Sequence, residues 1–384
     1  MRKTTPPSTG RRNLATLTTR GVRVAAPDAN TGRPASEPLY QTSVFEFPSI
    51  EAWEPALSGK AGYAYARHGR PNENSFAAGV ATLEGAEAGV ATSTGTSALL
   101  CALLISTKPG ERVLCQRDAY GGSRVLFERD FAEWGRPCEL IDAYEPSKVA
   151  DGLSRGARFV LVETLSNPLV RPVDIAALAW HCRSYGAVLC VDNTLATPIL
   201  QRPLALGADL VLHSATKFLG GHHDCAAGVL VGDKARIAAA QALVTRLGLN
   251  ASPLDAWLAA RGMRTLHLRI ERAEQNARAL AERLRAHAGV AALHYPGWGA
   301  VLSFDVGSLE RAERVVQGCP ELALTPSFGG VESTLSHAAS SSHRGLSGEE
   351  RAALGIGDGL LRFSVGIEDV EDLWSELNRA LTRL

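Results

Sequence analysis

Between residues 90 and 232, short apolar runs rich in β-branched residues recur at 90–92, 112–116, 138–141, 158–163, 188–192, 209–213 and 228–232. Runs of this length bounded by turn formers read as buried strands. Most are separated by stretches able to form helices, such as 97–106 and 175–185. That alternation predicts an α/β fold, a mostly parallel sheet with helices on both faces. Several runs end in polar residues: Asp118, Glu163 with Asn167, Asp192, and His213 with Ser214. Ligands of open α/β sheets bind beyond the carboxyl ends of the strands, so chemistry is expected at that edge.

A chain of 384 residues is too long for one ordinary core. After about residue 245 the texture changes to a long charged helical pattern at 266–287 and strand-like segments at 301–306 and 360–365. The expected division is an extended N-terminal arm at 1–56, a large domain at 57–245 and a smaller α+β C-terminal domain at 246–384. Forty basic and forty acidic residues cancel, leaving no global field to attract nucleic acid or an anionic membrane. The seven cysteines are scattered, without a C-x-x-C pair, and read as small buried hydrophobes in a reducing compartment. Residues 1–12 are basic but lack the apolar stretch of a secretory signal, and no run approaches membrane-spanning length, so the cytoplasm is the expected location.

The stretch richest in chemistry holds Val191-Asp192-Asn193-Thr194 and His213-Ser214-Ala215-Thr216-Lys217. It puts a carboxylate at one strand end and a lysine just past the next. Desolvation in an apolar, Gly-flanked turn lowers the basicity of such a lysine and leaves its amine nucleophilic. Pyridoxal 5'-phosphate (PLP) needs these parts: a lysine for its aldehyde, an acid for its ring nitrogen and clustered donors for its phosphate. Thr92-Ser93-Thr94-Gly95-Thr96-Ser97-Ala98 offers such donors at a helix start, although the same string is also a good N-cap. Singly, Lys217 reads equally as a surface lysine and Asp192 as a turn cap; the joint pattern favours the cofactor.

At these residues the chain resembles the Cys/Met-metabolism PLP enzymes of fold type I, the trans-sulfuration group that includes cystathionine γ-synthase, cystathionine γ-lyase and methionine γ-lyase. The resemblance runs from Pro38 onward. It rests on Tyr63-Ala64-Tyr65-Ala66-Arg67, Asp118-Ala119-Tyr120-Gly121-Gly122, Glu163-Thr164-Leu165-Ser166-Asn167-Pro168, the lysine segment, Ser327-Phe328-Gly329-Gly330 and Leu361-Arg362-Phe363-Ser364.

By that resemblance Lys217 would carry the cofactor and shuttle protons, and Asp192 would keep the ring nitrogen protonated. Tyr120 would stack on the ring and serve the leaving group as acid or base. Gly95, Thr96, Ser214 and Thr216 would hold the phosphate, and Asn167 would touch the ring hydroxyl. Tyr65 and Arg67 match a pair that reaches the phosphate of a neighbouring subunit, which implies a homodimer with shared sites, assembled into a homotetramer. Arg362 would grip the α-carboxylate of a small amino-acid substrate, helped by Ser327. Without the family pattern, the tyrosines read as packing aromatics, the arginines as surface ion pairs and Ser327 as a turn residue.

Some positions depart from the family. Enzymes acting on cystathionine commonly carry acidic residues where Ala64 and Pro326 stand here, so a smaller or less charged substrate is expected. Gly122 stands in place of the Cys typical of methionine γ-lyase, Leu165 in place of Pro and His223 in place of Ser. His222-His223-Asp224 lacks a third metal ligand at a useful spacing, and Gly355-Ile356-Gly357-Asp358-Gly359 lacks the spacing of a dinucleotide loop, so neither a metal nor a dinucleotide is expected. The expected activity is elimination or replacement at the γ or β carbon of a sulfur-containing amino acid, led by a carbon–sulfur lyase. Alternatives are γ-replacement on an O-acylhomoserine, by a cystathionine γ-synthase or a homoserine-ester sulfhydrylase, an aminotransferase of the same fold, and a scaffold that has lost activity.

Overall fold

Successive residues of a strand point to opposite faces, and here both sets are apolar. Val113, Cys115, Phe159, Leu161, Cys190, Leu210 and Leu212 pack on one side of a sheet. Leu114, Val160, Val162, Leu189 and Val191 pack on the other. The result, in a computed structural model that describes residues 9–20, 34–58 and 62–384, is a sheet covered by helices on both faces.

This sheet comprises β1 (Ala88–Thr92), β2 (Arg112–Gln116), β3 (Cys138–Ile141), β4 (Ala157–Glu163), β5 (Val188–Asp192), β6 (Leu210–Ser214) and β7 (Gly228–Gly232). Each coincides with an expected run to within two residues. Their order is β1-β7-β6-β5-β4-β2-β3, and β7 runs antiparallel to both neighbours. Strand direction was not legible in the run itself, because an apolar run reads the same either way.

A second sheet follows, built from β8 (Ala292–His294), β9 (Val301–Asp305), β10 (Ala323–Leu324), β11 (Thr334–His337) and β12 (Leu360–Ser364), ordered β10-β11-β12-β9-β8. Its core joins Leu302, Phe304, Leu361 and Phe363 to the long helix Leu266–Ala286 and the C-terminal helix Val370–Thr382. Two helices, Thr9–Arg20 and Ile50–Leu57, fall where an extended arm was expected. Leu14 of the first is buried in the core beside Phe76 and Val80, and Ser49 caps the second by accepting from Ala52 N at 3.2 Å. Residues 1–8 and 21–33 of that stretch lie outside the described residues.

The carboxyl ends of β4, β5 and β6 are pinned from beneath by a buried polar clamp. Glu84, the last residue of the helix Pro71–Glu84, accepts from Asn193 Nδ2 at 2.7 Å through Oε1, and the same oxygen lies 2.7 Å from His213 Nε2. Asn193 Oδ1 in turn accepts from the Thr164 hydroxyl at 2.7 Å. All four residues are at most 1% exposed. Thr164 follows Glu163, Asn193 follows Asp192 and His213 precedes Ser214, so the clamp fixes the heights of three strand ends that carry polar groups. Removing one partner of a buried network strands the others without water. Glu84→Ala is therefore expected to cost about 3 kcal/mol, read as a lower urea midpoint; an unchanged midpoint would show that the clamp bears no weight.

Candidate active site

Lys217 stands in the turn just beyond β6. The turn closes on itself, with Lys217 N donating to Ser214 O at 3.2 Å and Gly221 N to Lys217 O at 2.8 Å. A buried guanidinium fixes it from the side: Arg269, on the helix Leu266–Ala286, donates to the carbonyls of Phe218 and Gly262, each at 2.8 Å. Burial lowers Arg269 to about 10. From above, the loop after β10 lies on the lysine. Gly329 has φ +87°, and a Cβ there would sit 2.7 Å from Phe218 N, so this approach requires glycine. The same loop brings Ser327, whose Oγ accepts from Lys217 Nζ at 2.8 Å. Burial, reinforced by the nearby Arg362 charge, lowers the Lys217 amine from 10.5 to about 8.

Arg362 lies on β12, between Ser303 of β9 and Ser336 of β11. Its Nη1 donates to Asn167 Oδ1 at 2.9 Å and its Nη2 to Ser327 O at 2.7 Å. The residue is 3% exposed, and burial pulls it down to about 10. Its Nε has no hydrogen-bond partner. A buried guanidinium with a free donor is suited to a carboxylate.

At the sheet edge, Asp192 and Glu163 are direct neighbours across β5 and β4. Burial raises the Asp192 carboxyl above its ordinary range, opposed by hydrogen bonds from Thr194, whose N donates to Oδ1 at 3.0 Å. Burial and the Asp192 charge push Glu163 well above the usual carboxylate range. Glu163 Oε1 accepts from Tyr120 N at 2.6 Å, and Oε2 is buried without a partner. Asp192, whose rise the Thr194 hydrogen bonds restrain, is the acid of this pair suited to a protonated pyridine nitrogen. Tyr120 itself is 49% exposed at the edge of the site.

Because β7 lies between β1 and β6, Gly228 pairs with both Thr92 and Ser214. This draws the start of the helix Gly95–Ser106 onto the lysine turn; a Cβ on Gly95 would come within 2.9 Å of Ser214 Cβ. Thr94 Oγ1 caps this helix by accepting from Ser97 N at 3.1 Å, and the amides of Gly95 and Thr96, with the Thr96 and Ser214 side chains nearby, make a setting suited to phosphate. The Thr216 hydroxyl is shared with Ala227, accepting from its N at 3.3 Å. The residues present therefore fit PLP in each of its parts.

Tyr65 and Arg67 are not joined to this cluster. They line a separate exposed groove with Phe47, Ile50 and Trp53, and Arg67 Nη1 donates to Thr245 O at 3.2 Å. Gly355–Gly359 forms the turn into β12, and His222 Nδ1 rests against Gly220 O at 2.9 Å. Sequence reasoning gave no role to Arg269, Phe328 or the Glu84 clamp. Arg269 sits in an Arg-rich helix that reads as solvated, whereas Phe328 lies inside a quoted motif and could have been found there.

Residues 18–382 match the family described as Cys/Met metabolism PLP-dependent enzyme. The L-methionine gamma-lyase of Pseudomonas putida is 36% identical over 97% of this chain and 98% of its own length. The cystathionine gamma-synthase of Escherichia coli strain K12 is 38% identical over 88% and 91%. A crystal structure of cystathionine gamma synthase from Xanthomonas oryzae pv. oryzae, in complex with aminoacrylate and cysteine, superposes with a TM-score of 0.90 at 37% identity and covers 99% of both chains. The chain belongs to this family: it is a PLP-dependent enzyme of sulfur amino-acid metabolism.

An amine lowered to about 8 is mostly ammonium below that pH and mostly nucleophilic above it. The rate at which apoprotein takes up PLP, followed by visible absorbance, is expected to rise with pH through a midpoint near 8, and Lys217→Ala to abolish the absorbance.

Proposed function

We propose, from membership of this family, that the protein is a carbon–sulfur lyase eliminating at the γ carbon of an amino acid with an uncharged thioether tail, as in methionine. Pro326 carries this reading. It adjoins Ser327, the partner of the Lys217 amine, and brings no carboxylate to that side of the site. Ala64, beside Tyr65, brings none either. A second ammonium, such as the distal one of cystathionine, would meet no counter-charge from either position.

Bound PLP supplies an aldehyde that captures amines and a ring that draws electrons from them. Lys217 would hold it through the amine, Asp192 would serve the ring nitrogen, Asn167 the ring hydroxyl and Tyr120 the ring face, and Gly95, Thr96, Ser214 and Thr216 would bind the phosphate. Arg362 grips the substrate α-carboxylate through its free Nε, and Ser327 orients the same end. A free Lys217 amine is basic enough near neutral pH to take the Cα proton and then a Cβ proton, which loss of a group from Cγ requires. Tyr120 then protonates the departing thiolate.

A second reading is γ-replacement on an O-acylhomoserine, favoured by the 38% identity to a cystathionine gamma-synthase. Both use the same residues and differ in whether a thiol or water ends the reaction. The exposed position of Tyr65 and Arg67, away from Lys217 and beside an apolar groove, supports a dimer in which each subunit's pair reaches the phosphate held by the other, assembled further into a tetramer. None of the helices among the described residues is long and apolar enough to cross a membrane. The seven free cysteines fit a reducing compartment such as the cytoplasm.

Holoenzyme incubated with methionine, cystathionine, homocysteine and O-acylhomoserines, the last with and without a thiol, separates the readings. Release of a 2-oxo acid from methionine is expected to exceed that from cystathionine; thioether formation alone would replace the lyase with the synthase. Arg362→Lys, which loses the guanidinium fork, is expected to raise KM at least about tenfold while leaving cofactor absorbance in place.

A further inference from the structure

Two consecutive residues each touch both cations of the site. Ser327 takes the Lys217 amine on its hydroxyl and the Arg362 guanidinium on its carbonyl, at 2.8 and 2.7 Å. Phe328 does the same with its ring: Lys217 Nζ lies 5.1 Å from the ring centroid and Arg362 Cζ 5.0 Å. Both distances are within the reach of a cation–π attraction. The ring is 7% exposed, steadied by Phe218 at 5.9 Å and by the tight seat of Gly329 on the lysine turn. Cation–π attraction is largest where water is excluded, as here.

Left alone, two neighbouring cations in a desolvated site repel, and one would turn away or lose its proton. Among the described residues no carboxylate hydrogen-bonds either of them: the polar partners are Ser327 and Asn167. Arg362 on β12 is the charge that acts on the amine; Arg362 in turn acts on His343, whose imidazole burial lowers to about 4, so it adds no second cation near neutral pH. We propose that Phe328 is a positioning residue whose ring is a shared platform for the Lys217 amine and the Arg362 guanidinium, holding both cations in one site and so coupling carboxylate binding at Arg362 to the proton affinity of Lys217. A carboxylate that neutralises Arg362 removes the repulsion, so Lys217 holds a proton more readily once the substrate is seated. The coupling favours proton abstraction from a bound substrate over reaction in an empty site.

This inference rests on the reading that Lys217 carries PLP and Arg362 grips the carboxylate. Its test is the pH dependence of PLP uptake by the full-length apoprotein, where the Lys217 amine is free, followed by visible absorbance with and without propionate, a carboxylate that has no amine to react. Wild type is expected to titrate at higher pH when propionate is present. Phe328→Leu keeps most of the volume but removes the π face, so the cationic form loses support and the midpoint is expected to fall by about half a unit or more. The propionate needed for a half-maximal shift is expected to rise several-fold, to about tenfold. Phe328→Tyr, which keeps the face, is expected to retain wild-type behaviour on both counts, which a merely space-filling role would not require. Phe328→Met serves the same comparison if the Leu variant fails a circular-dichroism check of folding. A Leu or Met variant that titrates like wild type, with the same propionate response, overturns the platform while leaving the site reading intact. A wild type that shows no propionate shift overturns the coupling and the assignment of Arg362 together.

Discussion

The whole site depends on two sheets being held against each other by a few buried polar contacts. Arg362 reaches from the middle of the smaller sheet to Asn167 beyond β4, and the Ser303 hydroxyl on β9 donates to Pro168 O at 2.6 Å. Lys217 reaches the other way, from the larger sheet to Ser327. A buried guanidinium is costly unless its hydrogens are used, and two nitrogens of Arg362 are satisfied by groups from separate parts of the chain. Such contacts specify the relative placement of the sheets more than they add stability, because misalignment leaves a charge without water or partner.

That placement governs the electrostatics. The same dry interior shifts four groups of the site toward neutrality: Lys217 and Arg362 downward, Asp192 and Glu163 upward. The shifts are useful because each group meets a distinct local partner. Asp192 receives hydrogen bonds from Thr194 that oppose its burial, whereas Glu163 has one oxygen bonded to Tyr120 N and the other to nothing. Burial thus pushes Glu163 well above the usual carboxylate range, while the Thr194 hydrogen bonds restrain the rise of Asp192, a difference that lets adjacent acids do different work. Lys217, brought near neutral pH, can serve as both nucleophile and base.

The seven runs between residues 90 and 232 were legible because each strand of that sheet is buried on both faces, which writes continuous apolar character into the chain. The short β8 and β10, with exposed or half-exposed residues, carry no such signature. The helix Thr9–Arg20 was hidden for another reason: among its described side chains the buried ones are Leu14 and Thr18, amid a Pro- and Thr-rich stretch. Lys217, Asp192, Ser327 and Arg362 were legible through the motifs they belong to, while Arg269 was not, since a buried arginine in a charged helix has the same neighbours in sequence as a solvated one.

By itself the sequence determined which residue types stand at the strand ends and which lysine, acids and arginine are available, because periodicity and local turn chemistry act over a few residues. Only the tertiary structure decided that β7 runs backwards, so that Gly95 meets Ser214; that Glu84 clamps three strand ends from beneath; and that one phenyl ring lies under both Lys217 and Arg362. Several of those meetings join residues more than a hundred positions apart, as Gly95 with Ser214, Glu84 with Asn193 and Lys217 with Phe328. They are set by how whole sheets and helices bury their apolar faces against one another, which no local window contains.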